Sequence, residues 1–146
     1  MYPTPFYLKN HLAVQTAFGY WPCFHDANVK HFSYEPEGAG RIDLTLHGFT
    51  MTSQTDERGY FILTNHHLVH FAFHGITEPK VDSFMGAGNI LGELEFFTLQ
   101  DYEAEGFFKV VIDSCIGDEH SGVFLARSGE VLKVIPCNAE GNALTG

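Results

Sequence analysis

The chain is short of basic side chains: Lys and Arg together number 8 in 146 residues, against 18 Asp and Glu, for a formal charge of −10 with histidines neutral. This argues against a nucleic-acid partner, which needs clustered cations to displace counterions from phosphates. The imbalance suits a basic protein partner, or a surface kept soluble by its own charge. Cysteine is scarce as well. Cys23, Cys115 and Cys137 are odd in number, far apart and without a CxxC pair. They read as reduced, buried thiols and not as a disulfide framework or a zinc knuckle. No run approaches the roughly 18 apolar residues of a membrane span, and no cationic start leads into an apolar stretch with a cleavage site. Together these absences predict a cytoplasmic protein with no membrane partner.

Nucleotide and hydrolase signatures are missing too. "GAGNILG" at 86–92 lacks the Walker lysine and a strand-turn-helix setting, so it reads as a turn entering a strand. There is no GxSxG elbow, no internal repeat and no βαβ alternation, which argues against a parallel sheet. No cofactor is expected.

What the chain does have is apolar bulk, 45% hydrophobic with 14% aromatic, enough for one core and a single domain over 1–146. Thr4 as cap, Pro5 at a first helical position, and Tyr7, Leu8, His11, Val14 and Phe18 at helical spacing predict one N-terminal helix, stopped by Gly19. The Trp21-Pro22 step then forces extended backbone and is open to either isomer. Period-two patterning follows. In "RIDLTLHGF", Ile42, Leu44 and Leu46 oppose Arg41, Asp43, Thr45 and His47, and "PEGAG" links this run to "ANVKHFSYE" as a hairpin. "YFILTNHHLVHFAFHGI", "NILGELEFFTLQ", "FFKVVIDSC" and "GVFLARSGEVLKVIPC" continue the pattern. The prediction is an α+β, mainly β fold: an antiparallel sheet of about six or seven strands with the helix packed on it. The polar tail 138–146 is expected to fray.

Nine histidines are the first candidates for chemistry. On a strand His66, His70 and His74 share a face at roughly 13 Å intervals, too far apart for one zinc with ligands at about 2.1 Å. A metal site needs help from His47 or Asp43, or from His25 and Asp26. The His25-Asp26 pair resembles the support half of a catalytic arrangement, but neighbours on a strand point to opposite faces, so the backbone has to turn there. Cys23 becomes a nucleophile only if a base lowers its pKa. Acidic residues gather in two connections, Asp101, Glu103 and Glu105 in one and Asp118 and Glu119 in the other. Such residues solvate loops or steer a basic partner.

The order of motifs carries a resemblance. "FGYWPCFHDANV" is similar to the aromatic-Trp-Pro-x-Phe-His-Asp-Ala segment of the immunity protein 50 family of bacterial polymorphic toxin systems. "VHFAFHGI" followed by "MGAGNILGELEF", and then "FKVVIDSCIGDEHSGVFLA", resemble that family's later strands, so the likeness spans 17–127. Members more often carry Ser at the position of Cys23 and an acidic residue at that of Asn28. The resemblance implies a cytoplasmic, non-enzymatic protein that binds and neutralises a cognate toxin, and it brings no catalytic residue. Trp21, Pro22, Phe24, His25 and Asp26 are then architecture, with Asp26 accepting backbone hydrogen bonds. The acidic loops and His66, His70 and His74 are candidate partner-binding residues. Two other readings stay open: a small metal-dependent hydrolase using His25, Asp26 and the 66–74 histidines, and an oligomer-forming module whose sheet edge pairs with a second copy as a homodimer.

Overall fold

The computed structural model describes residues 5, 7–81, 84, 88–97 and 106–144. Among these the chain forms one helix, α1 (His11–Phe18), and eight strands: β1 (Asn28–Glu35), β2 (Arg41–Thr55), β3 (Phe61–His74), β4 (Thr77–Lys80), β5 (Leu91–Phe97), β6 (Phe108–Ser114), β7 (Gly122–Ala126) and β8 (Ser128–Pro136). The fold is α+β and mainly β, as the patterning predicts, but the strands form two antiparallel sheets instead of one. Their orders are β1-β2-β3-β8 and β4-β7-β6-β5.

The two sheets are joined at both sides. At one corner β3 continues into β4 and β7 into β8, so two paired strands pass from sheet to sheet together. Gly75 makes the bend with φ of 70°, a value that costs glycine little. A Cβ on Gly75 would lie 2.8 Å from that of Arg127, whose N–H donates to the His74 carbonyl at 2.9 Å. On the opposite side β5 is tied to the segment before β1. Leu94 N–H donates to Cys23 O, Leu91 N–H to Ala27 O and Val29 N–H to Asn89 O.

Alternation places Ile42, Leu44, Leu46, Val69, Phe71 and Phe73 of the first sheet inward, all fully buried, opposite Leu91, Leu94, Val110, Ile112 and Phe124 of the second. Aromatic rings fill the gap. Phe73 meets Phe124 at 5.2 Å, while Phe71 lies 5.9 Å from Phe24 and 6.3 Å from Phe96. Edge-to-face and tilted pairs of this kind add to the stabilisation from area burial alone.

Two sequence expectations fail locally. Thr4, the expected cap, lies outside the described residues, but the helix starts only at His11, because Lys9 pairs with β8: its N–H donates to Gly129 O and its carbonyl accepts from Val131. Asn10, in the left-handed region, also donates its side-chain amide to Val131 O. These tertiary bonds override helix propensity. Only Val14 and Phe18 of α1 are buried, with Leu8 buried ahead of it. The segment 138–144, expected to fray, turns back instead. Asn138 exchanges hydrogen bonds with residues 140–142, and Cys137 bridges to Ala143.

Gly129 is where Leu8, Phe73 and Phe108 converge, at 2.7, 2.9 and 3.2 Å from an added Cβ. Gly129→Ala is therefore expected to cost about 1–3 kcal/mol by overpacking, read as a lower urea midpoint with an unchanged slope.

Candidate functional site

The corner at 20–27 is built by the passage from α1 to the sheets. The Trp21-Pro22 bond is trans, and Trp21 and Phe24 are buried, 6.3 Å apart edge to face. Phe24 presses on the bare Gly48 backbone, where an added Cβ would stand 3.2 Å from its ring. Phe24 and Asp26 both take positive φ, 61° and 64°. The chain therefore does turn between His25 and Asp26, and the two side chains meet: His25 Nε2 lies 3.5 Å from Asp26 Oδ2. The other ring nitrogen, Nδ1, donates to Gly92 O at 2.9 Å. Both nitrogens thus face groups that hold the corner, and neither is turned to Cys23 as a base. Among the described residues no amide donates to the Asp26 carboxylate, which faces His25 instead, while the Asp26 N–H donates to Leu91 O at 2.8 Å.

A cleft of about 180 Å³ opens beside the corner, lined by Tyr20, Cys23, His25, Phe49 and Met51 among others. That is smaller than the roughly 300–1,000 Å³ of small-molecule sites.

His66, His70 and His74 of β3 lie half-buried on the outer face of the first sheet, and each takes a separate partner, whereas His67 shares the inward register and packs against Phe18 at 5.3 Å. His66 Nδ1 meets His47 Nε2 at 2.9 Å, His70 Nε2 meets Asp43 Oδ1 at 2.9 Å, and His74 Nε2 lies 3.6 Å from Glu130. His47, on the outward-facing register, is nevertheless buried. The returning chain covers it, with the Gly141 Cβ position 3.0 Å from His47 Nδ1. His25, Asp26 and the 66–74 histidines therefore do not converge, and the hydrolase constellation is not assembled among the described residues. Asp101, Glu103 and Glu105 lie outside the described residues. Asp118 opens a 3₁₀ turn at Asp118–His120, and Glu119 is exposed 3.8 Å from His120. The cysteines are free, but Cys115 is exposed where a buried thiol was expected.

The structure adds a cluster that no sequence reading named. Glu93 and Glu95 alternate onto the outer face of β5, and register places Asp113 of β6 opposite Glu93. One oxygen of each carboxyl lies within 4.8 Å of the other two. Burial, then Glu93 and Asp113, push the Glu95 carboxyl above its ordinary range. Three such groups can hold a hard cation or accept from a basic side chain. The "GELEF" alternation displays two of the three, whereas Asp113 joins them only through strand pairing. Further across the same face, Lys80, Lys109, Val123 and Leu125 line a groove of about 400 Å³ with Glu78 and Pro79. No family model, curated protein or solved structure matches the chain significantly.

Two titrating groups give an acid profile with a definite sign. The Arg41 guanidinium, hydrogen-bonded at 2.7 and 3.0 Å, holds the Asp43 carboxyl down to about 2, with burial opposing and His70 assisting. A depressed carboxyl stabilises above its unfolded value and loses this as pH falls through its folded one. Burial, then His66 and Lys30, lower His47. A lowered imidazole binds its proton more readily unfolded, so stability falls on acidification from about pH 7. Melting temperature is therefore expected to drop in two stages, first as pH falls through the ordinary imidazole range and again between about pH 4 and 2. His47→Gln should flatten the first and Asp43→Asn the second. At the corner, Asp26→Ala is expected to cost about 1 kcal/mol through left-handed strain, with Asp26→Gly close to wild type in the same melts.

Proposed function

We propose that this chain is a non-enzymatic, immunity-type protein that captures a basic protein, a cognate toxin, and neutralises it by occlusion. The observation that carries the reading is the corner. The one His-Asp pair whose sequence context favours chemistry has both imidazole nitrogens turned to Gly92 and Asp26, and its Trp and Phe are sunk in the core. The motif that carries the resemblance to immunity protein 50 is thus used as structure. The reading also draws support from charge: the molecule carries −10, and three carboxyls crowd on an open strand face. Crowded like charges cost stability until a cation approaches them, and an acidic patch speeds encounter with a basic partner.

The reading places the binding surface on the outer face of β5 and β6, with Val123, Leu125 and the lysine-edged groove beside it. A standard interface takes roughly 800 Å² per partner, a scale that fits the face of a four-stranded sheet. The histidines of the first sheet and the exposed Glu119 fall elsewhere on the surface and are secondary candidates.

The test uses the protein encoded immediately upstream as the probe. Co-expression is expected to restore growth of cells making that protein, and the two should co-purify. Glu93→Lys with Asp113→Lys should weaken capture at least tenfold with the melting temperature held or raised. Failure to protect or to form a complex sinks the reading, and unchanged capture by the charge-reversed variant removes the surface from it.

A further inference from the structure

Beyond the sheets, β2 and β3 run on together as a two-stranded arm. β1 leaves β2 after the Asn28–His47 pair, and β8 leaves β3 after Pro136–His67, while β2 and β3 stay paired as far as Thr55–Phe61. A two-stranded ribbon without support is marginal in water. This one is also apolar where it meets solvent: Tyr60 is 68% exposed, Phe61 53%, Met51 44%, Ile62 38% and Leu63 36%.

The two edges of the arm differ. On the β2 edge the ladder shifts between Met51 and Thr55. The Thr52 hydroxyl there donates to Ile62 O at 2.7 Å and accepts from Gln54 N–H at 3.3 Å, the kind of bulge that blunts an edge. The β3 edge is not blunted. Ile62 O faces β2 through Thr52, and Tyr60 O accepts from Asp56 N–H at 2.8 Å. By alternation Phe61 and Leu63 direct their N–H and C=O groups away from β2, and among the described residues no strand pairs with them on that side. Asn65, with φ of 56°, ends the open stretch by donating to Ala17 O on α1.

Charge says what can cover this edge. Residues 48–55 and 60–65 hold no Asp, Glu, Lys or Arg in a chain of net −10. In the tip turn, Asp56 is held by the N–H groups of Arg58 and Tyr60. Two copies of so acidic a molecule repel over most of their surfaces, and the arm is a long surface on which they do not. A basic partner gains nothing from an uncharged ribbon, whereas a second copy brings the same apolar edge.

We propose that the chain forms a two-fold homodimer by antiparallel pairing of the β3 edges over residues 61–63. With the axis at Ile62, Phe61 of one copy stands opposite Leu63 of the other. Each such pair exchanges two backbone hydrogen bonds, the two ribbons become four continuous strands, and the contact is self-complementary as a two-fold requires. Tyr60, Phe61 and Met51 then supply the apolar packing that an edge alone lacks.

Sedimentation of the full chain from about 1 µM to about 1 mM tests this, together with Leu63→Pro, which deletes an outward N–H, and the double variant Phe61→Lys, Leu63→Lys. The expected result is wild type rising to twice its 16.3 kDa, with dimerisation weakened at least tenfold in both variants and core melting unchanged. A wild type that stays at one chain's mass overturns the proposal and leaves the arm to a different protein. Variants that dimerise as well as wild type overturn it by placing the interface elsewhere.

Discussion

Everything else in this molecule depends on the aromatic packing between its two sheets. Phe71 and Phe73 stand side by side on β3, stacked at 10° with centroids 5.9 Å apart. Phe71 reaches Trp21 and Phe24 of the corner, and Phe73 reaches Phe124 and Phe108 of the second sheet. Phe96 touches both. A single strand therefore links the corner, both sheets and the docking of the N-terminal segment at Gly129. Because close-packed interiors transmit small volume changes, the bare backbones of Gly48 and Gly129 are as much part of the core as the rings that press on them.

That core explains how the surface is free to specialise. The sheets are joined by Gly75 and Arg127 at one side and by the 23–29 segment against β5 at the other. β4 is four residues long and contains Pro79, and Lys9 lies along β8. Short edges, proline and covered strands are the usual protections against edge pairing. The arm of β2 and β3 departs from that rule on one edge alone. The carboxyl cluster departs from another, since like charges facing each other across a ladder lower stability. The acidic face and the uncharged arm lie on different sheets.

The corner shows how one motif can be read in two ways until geometry decides. A histidine followed by an aspartate has the residue types of a proton relay. The left-handed turn at Asp26 lets the two touch, as a relay needs. Yet Gly92 O accepts the hydrogen bond from Nδ1–H, so the imidazole fastens the segment to β5 and has no ring nitrogen turned to a nucleophile. The same logic separates the β3 histidines, whose spacing along one strand already kept them apart and whose partners Asp43, His47 and Glu130 fix each in its own place.

Period-two alternation, the Gly-rich turn at 36–40 and the absence of helical periodicity after Gly19 were enough to read an α+β, mainly β chain and the β1-β2 hairpin, because they are local properties of adjacent residues. Division into two sheets was not legible: it depends on a bend at Gly75 and Arg127, residues 52 positions apart that meet only when β3 pairs with β8. The shortened helix escaped for the same reason, Lys9 and Asn10 being bonded to distant β8, while the 138–144 segment closes on itself by local hydrogen bonds and packs on distant His47. Glu93 and Glu95 could be seen to share a face, but the register that brings Asp113 to them is written in no neighbouring residue. The sequence by itself determined which side chains are paired by alternation, and what charge the surface carries. The tertiary structure alone decided which strands are neighbours, and hence which charges, rings and open edges meet, since strand pairing is a contact between segments far apart in the chain.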